Sequence, residues 1–233
     1  GASPLPVQLP IGSESGFAGV IDLLSMKEIR WDRDPEAPEG VEGALSAENL
    51  PRAREWRESL IDKLSAFSDE ITELYLDGRD IPVDLIRKTL RKATVGRKIV
   101  PVLCGSSLRD MGVQPLLDAI VDYLPSPLDL PPVTAHHAKK DEAVQLACDP
   151  GGHPAALVFK IQTEREAGAL SYIRVYSGTF RNGAAVYNVN KKKRERINRL
   201  VRMHANRTEP LESVSAGEIA TVVGFKLTQT GDT

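Results

Sequence analysis

Apolar positions fall into three successive regimes along the chain. Val7–Ile11 is a short apolar run ended by Gly12, and Gly19–Leu24 and Met26–Trp31 alternate partially, so the chain opens as strands. Asp32–Gly43, rich in Asp, Pro, Glu and Gly, reads as a loop. In Leu50–Phe67 the residues Ala53, Trp56, Leu60, Leu64 and Phe67 recur at steps of three and four, predicting one buried stripe of an amphipathic helix. A shorter helix, Glu70–Leu76, stops at Gly78. Pro82 suits a first turn, and Leu85, Ile86, Leu90 and Ala93 carry a third helix to Gly96. Ile99–Cys104 is continuously apolar, as in a parallel strand covered on both faces. Gly105-Ser106-Ser107 breaks it, and Leu116, Leu117, Ile120, Val121 and Leu124 predict a fourth helix. A strand, a Gly/Ser turn and a helix make half of a doubly wound α/β unit, which cannot bury its own sheet. The remainder of that domain is therefore expected outside this sequence.

The pattern changes again after Pro131–Pro154, which reads as a linker. Ala156–Thr163, Ala169–Tyr176, Ala184–Val189, Arg196–Arg202 and Ile219–Phe225 alternate apolar with polar residues. Gly168, Ser177-Gly178, Asn182-Gly183 and Ala216-Gly217 separate them, so a small closed barrel is expected, interrupted at Gly231-Asp232-Thr233. Trp31 and Trp56 read as core residues.

Composition narrows the possibilities. With 41% apolar and 27% charged residues the 233-residue chain is globular rather than disordered or fibrous. No apolar run approaches the roughly 18–20 residues that cross a bilayer, and Gly1–Leu5 is not a signal peptide. Cys104 and Cys148 make neither a disulfide framework nor a zinc site, which suggests a reducing compartment. The net charge of −2 conceals an asymmetry. Residues 1–133 hold 22 acidic against 15 basic side chains and residues 134–233 hold 10 against 15, as in two domains with different partners.

Five segments together resemble a known family. Val7-Gln8-Leu9-Pro10-Ile11-Gly12, Pro101–Gly112, Asp122-Tyr123-Leu124-Pro125-Ser126-Pro127, Tyr176-Ser177-Gly178-Thr179 and Met203-His204-Ala205-Asn206 are similar to elongation factor G, the ribosomal translocase GTPase, and its organellar and recycling-type relatives. The resemblance implies a multi-domain α/β chain, a partial P-loop GTPase G domain with an α+β insert subdomain, followed by an all-β translation-factor-type barrel. It implies the insert at residues 4–98, the C-terminal strand-turn-helix of the G domain at 99–130, and domain II at 131–233. GTP or GDP and Mg²⁺ would be bound by the intact protein, with none expected on this stretch alone. The implied partner is the ribosome, through small-subunit rRNA and the stalk protein, with no membrane and a monomeric state. The implied compartment is the cytoplasm, or the mitochondrial matrix for an organellar relative. The alternatives are a relative dedicated to ribosome recycling, in bacteria or mitochondria, and, from another class, an RNA- or protein-binding module with no GTPase ancestry.

Phosphoryl transfer to water needs a phosphate cradle, a magnesium ligand and a positioned nucleophile. The cradle signature G-x-x-x-x-G-K-[ST] is absent, for the sequence holds no Gly-Lys dipeptide. Asp149-Pro150-Gly151-Gly152 matches D-x-x-G by letters only, and Asn190-Lys191-Lys192-Lys193 lacks the aspartate of N-K-x-D. Hydrolysis by this stretch alone is not expected. Gly105, Ser106, Ser107 and Leu108 follow a strand at the carboxyl edge where α/β sheets place ligands, so they read as either a plain turn or, by the resemblance, a guanine-contacting loop. Glu55, Glu58 and Asp62, spaced i, i+3, i+7, put three carboxylates on one helix face, either solvated or, by the resemblance, set toward the basic stalk protein. Lys191, Lys192, Lys193, Arg194, Arg196, Arg199, Arg202 and Arg207 face only Glu195 within 17 residues. That run suits phosphate contact. Lacking interleaved aromatics, it suits backbone contact better than base stacking, and a solvated hairpin is the alternative. The resemblance points to rRNA contact, carried by Lys191, Lys192, Lys193, Arg194 and Arg196. His136, His137 and His153 have no carboxylate or cysteine at ligand spacing, so no metal site is expected. His204 and Asn206 are expected to pack a loop.

Overall fold

A computed structural model describes residues 3–31, 40–138, 140, 142–164, 168–204 and 207–233. It divides the chain into two compact units, Gly1–Leu124 and Pro125–Thr233. The loop expected at Asp32–Gly43 lies mostly outside the described residues, as do Lys139 and the Ala205-Asn206 end of the fifth family segment.

The first unit runs β1 (Pro4–Pro6), β2 (Gln8–Ile11), β3 (Gly19–Asp22), β4 (Lys27–Arg30), β5 (Val41–Ala44), α1 (Leu50–Ser65), α2 (Asp69–Leu76), α3 (Val83–Val95), β6 (Val100–Val102) and α4 (Val113–Tyr123). Strands β2 to β5 form an antiparallel meander in chain order. Val41–Ala44, expected within a loop, is thus its edge strand. Helices α1 and α3 cover the meander's apolar face: Ala53, Leu60, Ile61 and Leu64 of α1 and Ile86, Leu90 and Ala93 of α3 join Leu9, Ile21 and Leu23 in one core. Ser68 caps α2 by accepting from the Ile71 N–H at 3.3 Å. Pro82 occupies the N-cap of α3 rather than its first turn.

One buried charge organises the entry to α1. Glu28, 3% exposed on β4, accepts hydrogen bonds from Ser46 N–H (2.9 Å), Ser46 Oγ (2.7 Å), Asn49 Nδ2 (2.8 Å) and Arg30 Nε (2.7 Å). Burial alone would raise its pKa. The bonds from Asn49, Ser46 and Arg30 outweigh burial and hold it at about 2. From α1, Arg57 donates to the carbonyls of Leu23 and Leu24 at 2.6 and 2.7 Å and ties the helix to the turn after β3.

One core expectation fails. Trp31 is buried against Val20 and Met111, but Trp56 is 39% exposed and Ile61 takes its place in the α1 stripe. β6 pairs in parallel with β1, Pro4 to Val100 through Pro6 to Val102, yet Val100 and Val102 are not covered. Helix α4 likewise buries Ala119 and Tyr123 and exposes Leu116, Leu117, Ile120, Val121 and Leu124, the residues whose spacing predicted it. Among the described residues the sheet at β6 has two strands, so no second layer reaches this face. Leu117→Ser should therefore change the unfolding free energy by less than about 0.5 kcal/mol. A loss of about 2 kcal/mol in a urea melt would mean the face is packed.

The second unit is built of strands, apart from a 3₁₀ turn at Pro127–Asp129. These are β7 (Val133–His136), β8 (Ala143–Leu146), β9 (Ala155–Glu164), β10 (Gly168–Ser177), β11 (Thr179–Arg181), β12 (Ala185–Asn188), β13 (Lys193–Arg196), β14 (Arg199–His204), β15 (Arg207–Leu211), β16 (Ser213–Ser215) and β17 (Ile219–Val223). Five of them make an antiparallel sheet in the order β15-β14-β17-β10-β9; β11-β16, β12-β13 and β7-β8 are separate pairs. The expected linker at Pro131–Pro154 thus contains the β7-β8 hairpin. The single strand expected over Arg196–Arg202 is two, because Ile197 turns into the core between β13 and β14. Val158, Ile173, Val175, Leu200, Val214 and Val222 complete that core.

Candidate nucleic-acid interface

The loop after β6 is closed by its own backbone. Ser106 N–H donates to the Met111 carbonyl at 2.8 Å and Met111 N–H to the Ser106 carbonyl at 3.1 Å. Glycine is required on both sides of this closure. Gly112 sits at φ +83°, and a Cβ on Gly105 would lie 2.8 Å from the Met111 oxygen. Ser106 has therefore used the N–H that sequence reasoning offered to a ligand. The N–H groups of Ser107 and Leu108 have no acceptor among the described residues, and Leu108 is 95% exposed. Beside the loop, burial pushes the Cys104 thiol up to about 11, against a small opposing effect of Arg52, which makes it a poor nucleophile.

On α1, Glu55, Glu58 and Asp62 are exposed and form no ion pair among the described residues; Arg54 does not close on Glu58. The structure adds Tyr75 of α2, whose hydroxyl lies 3.4 Å from Glu58 Oε1. Desolvation and the Glu58 and Asp62 charges raise its pKa. Glu58 and Asp62 thus both act on the Tyr75 hydroxyl.

The cationic run folds into the β12-β13 hairpin and its continuation. Register pairs Ala185 with Arg196, Val186 with Glu195, Tyr187 with Arg194 and Asn188 with Lys193. Strand alternation then sorts the side chains. Val186 packs on the core and Asn188 is buried; Tyr187, Arg194 and Arg196 share the other, exposed face. The inward side is pinned to residues 226–232. Glu195 accepts from Lys226 N–H (2.6 Å), Leu227 N–H (2.9 Å) and the Thr228 hydroxyl. Asn188 Nδ2 donates to Thr228 Oγ1 and Asp232 Oδ2, each at 3.0 Å. Burial would raise the Glu195 pKa, but these donors hold it below the ordinary carboxylate value.

The single acid in the run is thus turned away from its neighbours. Among the described residues Lys192, Lys193, Arg194 and Arg199 have no ion-pair partner. Lys191 donates to Gln229 Oε1 (2.6 Å) and Arg196 Nε to the Gly183 carbonyl (3.0 Å). Arg202 leaves the set by pairing with Glu218 at 3.2 Å and Glu209 at 3.9 Å. Linear spacing could not show Tyr187, seven positions from Arg194, as its cross-strand neighbour.

The remaining motifs resolve as structure. Asp149 caps its own turn by accepting from Gly151 N–H at 2.9 Å, and the Pro150 carbonyl accepts from Thr179 Oγ1, so D-P-G-G is a turn locked onto β11. Asn190 Oδ1 accepts from Thr233 N–H and hydroxyl, both 2.9 Å. Among the described residues no three His, Cys, Asp or Glu side chains gather as metal ligands, and no helix is long and apolar enough to cross a membrane. A cavity of about 560 Å³ in the second unit is lined chiefly by apolar residues, among them Val158, Ile173, Phe180, Val186 and Phe225, with Tyr187 at its side.

Comparisons place this architecture among known proteins. Residues 153–233 match the family described as elongation factor G domain 2. The whole chain is 49% identical over 233 residues to elongation factor G 1 of Treponema denticola and covers 34% of that protein. It is 48% identical over 232 residues to elongation factor G 2 of Treponema pallidum, again 34% of the relative, and 48% identical to elongation factor G of Thermotoga maritima, covering 33%. The chain spans about a third of the length of the curated relatives it matches. A crystal structure of a protein from Thermus thermophilus superposes with a TM-score of 0.73 at 24% identity, covering 98% of this chain and 31% of the other, a likeness of fold.

Proposed function

Because the chain belongs to the elongation factor G family and includes its second domain, we propose that it serves within a GTP-binding translation factor that uses GTP hydrolysis to move tRNA and mRNA on the ribosome. In this reading the first unit holds the insert subdomain and the C-terminal strand-turn-helix of a P-loop G domain. The bare faces of β6 and α4 are where the rest of that α/β sheet packs. The second unit would hold the factor's second domain, whose strands form one five-stranded sheet and three separate pairs rather than the closed barrel expected from the sequence. Ser107 and Leu108 would offer backbone N–H groups to the guanine of GTP or GDP. The phosphates and Mg²⁺ would be held by residues this sequence does not contain. When bound, the nucleotide supplies a hydrolysable phosphoanhydride; what this chain contributes is one edge of the base pocket and surfaces that dock the factor.

Two surfaces would meet the ribosome. Glu55, Glu58 and Asp62, with Tyr75, would engage a basic partner such as the stalk protein through a screened, rapidly exchanging contact. Lys191, Lys192, Lys193, Arg194 and Arg196 would bind small-subunit rRNA phosphates. The chain would work as a monomer in the cytoplasm, or in the mitochondrial matrix if organellar. The observation that carries the reading is identity near one half along the entire chain, through both units. One prediction tests the nucleotide part. Millimolar GTP with Mg²⁺ should leave the melting temperature of this chain unchanged, because the sequence holds no phosphate cradle; binding at 100 times Kd would add about 2.7 kcal/mol and be obvious. A clear upward shift would show that a phosphate site exists within it.

A further inference from the structure

Building on the reading that the cationic hairpin binds RNA, we propose that Tyr187 is a stacking platform for an unpaired nucleobase, with Arg194 and its neighbours holding the flanking phosphates. The hairpin then reads single-stranded RNA and not only a backbone. The register sets Tyr187 directly opposite Arg194, on the face that also carries Arg196. Tyr187 is 46% exposed, an aromatic residue at the edge of the cavity left partly in water among cations. Among the described residues no ring packs on Tyr187 and no cation sits over it. The aromatic pair Phe159 and Tyr172 of this unit differs. Tyr172 already packs against Phe159 at 6.3 Å and carries the Lys160 ammonium 4.9 Å above its centroid, so its partners are internal. The platform is also held in place. Asn188, next to Tyr187, is buried and bonded to Thr228 and Asp232, and Glu195, next to Arg194, is bonded to Lys226, Leu227 and Thr228. A rigid hairpin presenting an aromatic face beside Arg194 and Arg196 matches the chemistry of a single strand: a charged backbone with a π-face at every nucleotide. A duplex, whose bases are already stacked, offers only its phosphates to the same surface.

The test is fluorescence anisotropy of the full chain at low salt with a labelled oligoadenylate and with an RNA duplex of equal length. Tyr187→Leu keeps a side chain of similar bulk beside the cavity but removes the ring. It should weaken oligoadenylate binding by about 5- to 100-fold and leave duplex binding within about twofold, while Tyr187→Phe binds like the unaltered chain. Equal affinity of Tyr187→Leu and the unaltered chain for oligoadenylate, or an equal loss on both RNAs, overturns the stacking role. A separate variant, Lys192→Ser/Lys193→Ser/Arg194→Ser, addresses the reading beneath it. If that variant binds both RNAs undiminished, RNA recognition by the hairpin is itself wrong. If it loses both while Tyr187→Leu loses neither, only the stacking platform falls.

Discussion

Replacing Lys191, Lys192, Lys193 and Arg194 together by serine is expected to lower RNA affinity by about 10²- to 10³-fold near 0.1 M salt. Each phosphate contact to a single strand contributes about 0.7 to the slope of log K against log salt, so four lost contacts flatten that slope by about 3. Lys192, Lys193 and Arg194 have no acidic partner among the described residues, so their removal strands no buried carboxylate. Lys191 gives up one bond to Gln229, which places it lowest in the series. Melting should move by less than about 0.5 kcal/mol, which separates lost binding from lost folding. Filter binding across a salt titration reads both affinity and slope. Unchanged affinity with an unchanged slope would remove the hairpin from the interface.

The second large effect lies in the other unit. Glu28 has its pKa depressed from an ordinary 4.5 to about 2, so it contributes stability that is fully present above pH 4.5. That contribution is lost as pH falls from 4.5 toward 2 and the folded state has to accept a proton. The difference corresponds to about 3 kcal/mol. Glu28→Gln should cost a similar amount at pH 7, because an amide replaces a carboxylate that accepts four bonds, one of them from Arg30. It should also flatten the acid limb of the stability curve between pH 4.5 and 2. Urea melts at about pH 7 and about pH 3 measure both. A variant that melts like the unaltered chain at neutral pH, or keeps its acid dependence, would show that the carboxylate does not organise the α1 entry.

The helices were legible from their spacing, but not always which side they bury. In α1 the steps of three and four located the stripe, yet Trp56 lies at its margin and Ile61 fills the core. In α4 the periodicity was right and the burial inverted. A pattern of apolar residues records where a surface is meant to be covered, and the covering layer of β6 and α4 is not built from the described residues. Strands were harder. Val41–Ala44 holds two glycine or alanine positions and one acid, so its pairing with β4 had no local signal. Of the candidate site, the cationic run and the acidic face were visible as composition. The pairing of Arg202 with Glu218, the diversion of Glu195 to Thr228 and the placing of Tyr187 beside Arg194 depend on contacts between strands.

The pairing of β1 with β6 has a consequence for how the molecule assembles. These neighbours are separated by roughly ninety residues, and closing so long a loop in an unfolded chain carries an entropic penalty of about 4 kcal/mol. Three residue pairs cannot offset that alone. The meander and α1 to α3 form from nearer contacts and bring Val7 and Ile99 into one core, delivering both ends of the excursion to the same place. The parallel ladder is then a late zipper, and its amides should be the first in the unit to exchange with solvent.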